Sequence, residues 1–406
     1  MMMTTTTGVA YLDFLDPAFR PDSPQVHAAR EARWFARTPT GFAVLRHDKQ
    51  SILLTDRRLR QGTHRVLAAQ GIIEGPIVDW MNSIILTVEG DDHTRLRCLV
   101  SHAFTPRAVG ALRPMMRQVV NELIDRFVGE GRTEFMASFA DPYPARVICE
   151  LLGVPPAQHE AFRGWANDLG LAFSYAAAAN RDRIEAALHG LSAATETLIA
   201  ARRAEPGSDL LSALINAESG GDRLSAEELR MMVTTILFAG QDTTRHQLGH
   251  AIALFLRHPE QWALLARRPE LAVTAVEEVL RVVPTVPATA RVASEDFEVD
   301  GLAIAAGTVL TMLLAAGNTD PAAFGPDAAA FDITATRGPQ QLGFGAGIHY
   351  CLGAALARTE LAEALPILAR RLGRIEADGK VGWRPALGIT GPVTLPIRFR
   401  GRVEHR

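Results

Sequence analysis

The 406-residue chain reads as a mainly α protein with small β-sheets, folded as a single domain over residues 10–406 around one long central helix. Three observations predict this. Ser225 and Glu228 form an S-x-x-E capping box, and the helical pattern behind it runs to Arg257, where His258-Pro259 stops it. At 1.5 Å per residue such a helix spans roughly 50 Å. Its middle, Met231 to Gly240, is apolar around most of its circumference, so neighbours must bury it from several sides. The β-type segments, by contrast, are short: they run at about 288–314 and 394–399, with one early strand at Gly41 to Leu45. Finally, no Gly/Ser linker, charge block or internal repeat divides the chain.

The remaining elements follow in order. The start, MMMTTTT, lacks a basic n-region and an apolar h-region, so it is no signal peptide, and residues 1–9 are expected to be disordered. Gly41 to Leu45 and Gln50 to Leu54 read as a strand and the start of a helix. Thr94 to Gly129 reads as two helices broken near Pro106. Ala137 to Leu152 is a helix stopped by Gly153 and Pro155, and residues 157–204 carry two or more helices around the tract Ala176–Ala179. A helix from about Pro269 ends at Arg281. Gly301 to Thr319 carries no charge and is long enough to span a bilayer, but its glycines and the Leu302/Ile304 alternation favour two short buried strands and a turn.

Composition narrows the function. The chain is 48% hydrophobic and 21% charged with net charge −3, which suits a globular enzyme and gives no reason to expect nucleic acid as partner. Only Lys49 and Lys380 are lysines among 42 basic residues, a bias that fits a GC-rich bacterial genome. Cys98, Cys149 and Cys351 form no CxxC pair, which argues against disulfides or zinc and for a reducing cytoplasm. A soluble, cytoplasmic, monomeric protein without a membrane anchor is expected.

The most informative string is Phe344-Gly345-Ala346-Gly347-Ile348-His349-Tyr350-Cys351-Leu352-Gly353. It sets a cysteine on a glycine-rich loop directly before a helical stretch, Leu352 to Arg370. A helix N-terminus favours thiolate over thiol, and glycines let the loop approach something large and flat. Inside the long helix, Ala239-Gly240-Gln241-Asp242-Thr243-Thr244 places poor helix formers in a buried segment. The Thr243 hydroxyl can bond back to the Ala239 carbonyl and, with Gly240, widen the helix locally. Glu278 and Arg281 lie three apart on one helix face, and Phe331-Asp332-Ile333 is followed by Arg337.

The loop has the form FGxGxHxCxG and resembles the haem-binding loop of the cytochrome P-450 monooxygenases, with motifs in that family's order over about residues 10–400. The resemblance implies the cytochrome P-450 fold, haem b (iron protoporphyrin IX) ligated by Cys351, and O2 as co-substrate. It implies that Ala239, Phe344, Gly345, Gly347 and Gly353 border the haem. His93, Arg97, Arg291 and His349 would clamp its propionates. AGxDT implies that Asp242 relays protons and Thr243 serves the oxygen site, with Thr244 a substitute hydroxyl. ExxR implies a buried Glu278–Arg281 lock, with Arg337 as third member. The family often has a histidine where this chain has Gln341, which weakens the expected propionate clamp at that corner.

The expected activity is insertion of one oxygen atom into a lipophilic organic substrate by hydroxylation or epoxidation. Candidate pocket residues are Ile84, Ile85, Phe173, Ile236, Ala239, Val286, Ala288, Thr289 and Ile389, mostly apolar. No flavin, nicotinamide or iron–sulfur fingerprint is visible, so electrons are expected from a ferredoxin and an NAD(P)H-dependent ferredoxin reductase, with Arg107, Arg113 and Arg358 as a candidate docking face. The competing readings are a peroxide-driven peroxygenase and a non-catalytic haem sensor or carrier. The Asp242-Thr243 pair argues against both.

Overall fold

The capping box closes as its sequence predicts. In the computed structural model, which describes residues 8–401 apart from 15, 17, 175, 220 and 221, the Glu228 N–H donates to the Ser225 hydroxyl and the Ser225 N–H donates to the Glu228 carboxylate. The helix runs Ala226–Arg257, and Pro259 opens a further helix, Pro259–Arg267. Burial along the central helix is unbroken from Met232 to Phe238 and again from Thr244 to Gly249. Between those stretches Ala239, Gly240 and Thr243 keep free surface, because there the helix borders a cavity instead of a neighbour. Helices that pack against it include Pro142–Leu151, His159–Leu169, Arg181–Ala204 and Ala354–Leu372.

Several expected boundaries shift. The helix expected from Ala137 begins only at Pro142, behind a π-turn at Met136–Ala140. Phe135, Phe139 and Tyr143 stack along it at 5.4 and 5.5 Å, and the widened turn carries Asp141 toward the central helix. The region from Thr94 to Gly129 holds three helices, not two: Gly90–Ser101, Pro106–Gly110 and Arg113–Asp125. Pro106 and Pro114 each sit in a first turn, where the missing N–H costs nothing. Residues 301–319 supply strands Leu302–Ile304 and Val309–Met312, then coil into a short helix, Leu314–Asn318, where a turn was expected. Among the described residues no helix is long and apolar enough to cross a membrane. The expectation of disorder at the N-terminus falls on residues 1–7, outside the described residues, and on Gly8 and Val9.

The main sheet orders its strands Phe35–Thr38, Gly41–Val44, Val309–Met312, Thr289–Ala293 and Leu59–Gln61. Its register sets Gln61 opposite Arg291. A smaller sheet joins Ile375–Ala377, Pro396–Phe399 and Arg132–Glu134. The hairpin Gly382–Trp383 with Pro392–Thr394 lies near the central helix and brings Leu387, Gly388 and Ile389 to the cavity.

Candidate active site

A cavity of about 410 Å³ lies between the central helix, the main sheet and the loop from Gly343 to Gly353. The loop is held by its own backbone: the Cys351 N–H donates to Phe344 O at 3.0 Å and the Gly345 N–H to Leu342 O at 2.8 Å. Gly345 and Gly347 have φ of 70° and 73°, which side-chain-bearing residues avoid. A Cβ on Gly347 would lie 2.8 Å from Leu54 O, so this glycine serves packing on the far side of the loop and does not line the cavity. Phe344, Gly345, Cys351 and Gly353 do line it. The helix starts at Ala354, two residues later than expected, with Gly353 as its cap.

The Cys351 thiol has surface, but that surface faces the cavity. Burial pushes the thiol above its ordinary value, and the Gly353 N–H, Arg97 and Arg358 only partly offset this. The N–H at the helix start therefore favours the thiolate without outweighing burial. A metal at sulfur would supply the missing stabilisation.

His93 and Arg97, one turn apart on Gly90–Ser101, line the same cavity as Arg291 from the sheet and His349 from the loop. The His93 and His349 rings meet at 4.6 Å, and His349 Nε2 lies 3.1 Å from Glu89 Oε1. Arg291 is buried and donates to Gln61 Oε1 at 3.2 Å and Ala290 O at 3.0 Å. No carboxylate forms an ion pair with Arg97 or Arg291 among the described residues. Burial lowers Arg97 and takes Arg291 down to about 10; it also lowers both histidines. Buried cations without counter-charges are costly unless an anion joins them. The residues present thus fit haem: sulfur for iron, glycines for the flat macrocycle and a cation cluster for two carboxylates. Gln341 lies elsewhere. Its Nε2 reaches Glu277 at 3.3 Å and its Oε1 accepts from the Gly343 N–H, so the missing histidine leaves this cluster untouched.

On the central helix the Thr243 hydroxyl donates to Ala239 O at 3.0 Å, and Ala239, Gly240, Thr243 and Thr244 line the cavity. Asp242 does not. It is fully buried, with Oδ1 2.7 Å from Arg245 Nη2 and Oδ2 3.0 Å from Arg384 Nη1. Burial pushes its carboxyl up, but Arg245 and Arg384 outweigh this and hold it below the usual carboxylate range. The His246 imidazole beside it is driven down to about 3 by burial, and Nδ1–H donates to the Asp242 carbonyl. A Cβ on Gly170 would meet Asp242 Oδ2 at 2.5 Å, so that glycine permits the approach. Arg245 also pairs with Asp141 at 2.8 Å, and Asp141 with Arg163 at 3.3 Å, which extends the ionic chain toward the surface. Sequence reasoning missed Arg384: nothing local marks a partner so distant in the chain.

Behind the loop, Arg281 Nε lies 2.7 Å from Glu278 Oε2, and both side chains are nearly inaccessible. Arg281 also donates to the carbonyls of Asn318, Ala328 and Ala330. Arg337 completes the group at 3.1 Å from Glu278 Oε1. This lock sits outside the cavity. The candidate docking arginines are less free than expected: Arg113 pairs with Glu363, and Arg358 bonds Glu277 at 2.5 Å and Tyr350 at 2.9 Å and lies over the Phe344 ring.

All the candidate pocket residues reach the cavity: Ile84 and Ile85 from the loop before Gly90, Phe173, Ile236 and Ala239, the run Val286, Ala288 and Thr289, and Ile389. Phe173 and Phe238 stack at 4.9 Å and 9°, with Trp80 edge-on behind both. Gln247, Leu387 and Glu360 also line it and were missed. Helical periodicity from the chosen positions would have found Gln247, and the spacing Cys351, Leu356, Glu360 would have found the last.

Comparison with known proteins agrees with this geometry. The Cytochrome P450 family profile matches residues 173–267 and 261–372. Luteothin monooxygenase of Streptomyces thioluteus is 44% identical over 395 residues, 96% of each chain. Mycinamicin IV hydroxylase/epoxidase of Micromonospora griseorubida is 40% identical over 77% of this chain and 79% of its own. The solved structure of cytochrome P450 CYP109Q5 from Chondromyces apiculatus superposes with TM-score 0.86 at 32% identity, covering 97% of this chain and 99% of its own. A chain that shares this much with a named monooxygenase from end to end, and the same backbone with solved P450s, belongs to the cytochrome P450 family and is a monooxygenase.

Proposed function

We propose that this monooxygenase hydroxylates or epoxidises a lipophilic, uncharged secondary metabolite, using haem b and electrons from a ferredoxin and its reductase. The cavity wall carries the substrate class. Ile84, Ile85, Phe173, Ile236, Val286 and Ile389 present carbon, while the two cavity arginines are grouped where the haem carboxylates would take them up. The names of two relatives, luteothin monooxygenase and mycinamicin IV hydroxylase/epoxidase, fit such a substrate.

When bound, haem supplies the iron at which O2 is reduced. Cys351 Sγ would ligate that iron, and His93, Arg97, Arg291 and His349 would hold the carboxylates. The chain has no CxxCH for covalent attachment, which favours haem b. Phe173 and Phe238 orient substrate by shape, and the Thr243 hydroxyl offers a donor into the cavity once it leaves the Ala239 carbonyl. Electrons need a partner because the chain carries no flavin or nicotinamide fingerprint.

The test is a titration of the ferric holoprotein with a panel of neutral lipophilic metabolites and with carboxylates and amines, read in the Soret band. A low-to-high-spin shift confined to neutral compounds is expected. A shift confined to charged compounds overturns the substrate class.

A further inference from the structure

Several polar side chains that border the cavity are already committed. The Thr235 hydroxyl donates to Met231 O at 2.7 Å, the Thr63 hydroxyl to Gln61 Oε1 at 3.0 Å and the Thr243 hydroxyl to Ala239 O at 3.0 Å. The Thr289 hydroxyl accepts from Arg291 at 3.4 Å. Gln247 uses both ends of its amide: Nε2 donates to Val283 O at 2.9 Å, and Oε1 accepts from the Thr285 N–H at 2.9 Å. Thr285 borders the cavity too, and it differs from all of these. It is buried, and its hydroxyl has no hydrogen-bond partner among the described residues.

The backbone of Thr285 is tied on both sides. Its N–H goes to Gln247 of the central helix, and its carbonyl accepts from the Thr390 N–H at 2.9 Å. Val286 follows Thr285 and Ile389 precedes Thr390, so the adjoining cavity wall is carbon. A buried hydroxyl without a partner is costly, and this backbone is held too firmly to carry it out to water. Rotation about χ1 exchanges the hydroxyl with the similar-sized methyl, so the donor can turn to a ligand atom while the chain stays in place. A hydroxyl has one hydrogen to donate. The groups that hold Thr285 are uncharged, so a neutral oxygen is the acceptor that fits this position.

We propose that Thr285 is the polar anchor for the substrate: its hydroxyl donates to a neutral oxygen (a ketone, ester or ether) on an otherwise lipophilic molecule and fixes how that molecule lies in the cavity. This rests on the neutral, lipophilic substrate class proposed above and narrows it to molecules that carry such an oxygen. An analogue without the oxygen leaves a buried donor unpaired, and the site discriminates against it for that reason. The substitutions that separate hydroxyl from shape are simple. Valine keeps the shape and removes the hydroxyl; serine keeps the hydroxyl and removes the methyl.

The experiment titrates the ferric holoproteins of wild type, Thr285→Val, Thr285→Ser and Thr285→Ala in the Soret band. The probes are neutral ketones paired with hydrocarbons of the same skeleton: cyclododecanone with cyclododecane, and menthone with menthane. In Thr285→Val and Thr285→Ala the Kd for the ketones should rise roughly five- to tenfold, the worth of about one net hydrogen bond. The Kd for the hydrocarbons should stay level or fall, and Thr285→Ser should bind the ketones as wild type does. Ligand-free Thr285→Val should melt no lower than wild type, since it loses an unpaired buried hydroxyl. An equal loss for ketones and hydrocarbons, no loss for the ketones, or no recovery with serine overturns the proposal. Failure of both Thr285→Val and Thr285→Ala to take up haem makes the hydroxyl structural and also overturns it. A wild-type protein that no neutral probe shifts overturns the substrate class itself, and the anchor with it, which is a different result from any of these.

Discussion

Two sealed carboxyls show how surroundings decide what a residue does. Asp242 has two arginine partners that hold its carboxyl below the usual range; Glu360 has none, and burial pushes its carboxyl well above that range. The folded-state value of Asp242 is depressed, so its ion pairs contribute stability above the unfolded carboxylate value of about 3.9 and lose it as pH falls through the lower folded value. Asp242→Asn leaves Arg384 without its partner and should cost about 3–5 kcal/mol near neutral pH. In acid, the gap from wild type should close; urea unfolding at neutral pH and below 3.9 checks this, and a gap independent of pH would show that packing against Gly170 matters, not charge. Thr243→Ala acts differently. Removing the hydroxyl frees the Ala239 carbonyl and keeps the fold, since alanine is the better helix former. Product formation should fall roughly a hundredfold, the lower range for a positioned proton donor, with haem content unchanged. Normal turnover would remove Thr243 from the chemistry.

Elements differ in how openly the sequence declares them. The central helix was legible because both its ends are written locally, in a capping box and in His258-Pro259. Helices Pro24–Ala32 and Pro259–Arg267 were missed because Pro259 was read only as a stop and Pro24 was not read as a start, although each opens its helix in the first turn. Strands such as Leu59–Gln61 are too short to show a period. The Glu278–Arg281 pair was legible as a motif, but not the three carbonyls that make it a lock. Arg281 joins its helix to the segment 318–330 before the cysteine loop, so its loss frees several acceptors at once. Arg281→Ala should therefore cost about 3–5 kcal/mol and yield little haem-loaded protein. Arg337→Ala should cost less, because Arg337 is more accessible and shares Asp327 at the surface. Thermal melts and haem-to-protein ratios of the two variants test the order; equal losses would put Arg337 at the centre of the lock.

At the scale of the whole molecule, the site is a meeting of parts remote in sequence: a helix near residue 93, a sheet strand at 291, a loop at 349 and the middle of the central helix. The motifs named these residues, while their convergence depends on sheet register and helix packing that no local signal records. Gln61 opposite Arg291 is one example, and the hairpin that carries Arg384 to Asp242 is another. Convergence also concentrates positive charge, and that has a thermodynamic consequence. The protein without haem must bury Arg291 at a cost, with no ion-pair partner and only the Glu89 carboxylate at longer range, and burial outweighs that carboxylate and takes the guanidinium down to about 10. With haem bound, a carboxylate removes that cost. Arg291→Leu should therefore act in opposite directions on the two forms. The apoprotein should melt at a higher temperature than wild type, because a buried unpaired charge is gone. The holoprotein should lose haem faster, by roughly tenfold or more, since a hydrogen bond to a charged group is worth about 1.5–3 kcal/mol. Haem transfer to an excess of an apo-globin gives the rate, and calorimetry of both forms gives the melting temperatures. If both forms are destabilised alike, Arg291 serves the sheet and not the cofactor.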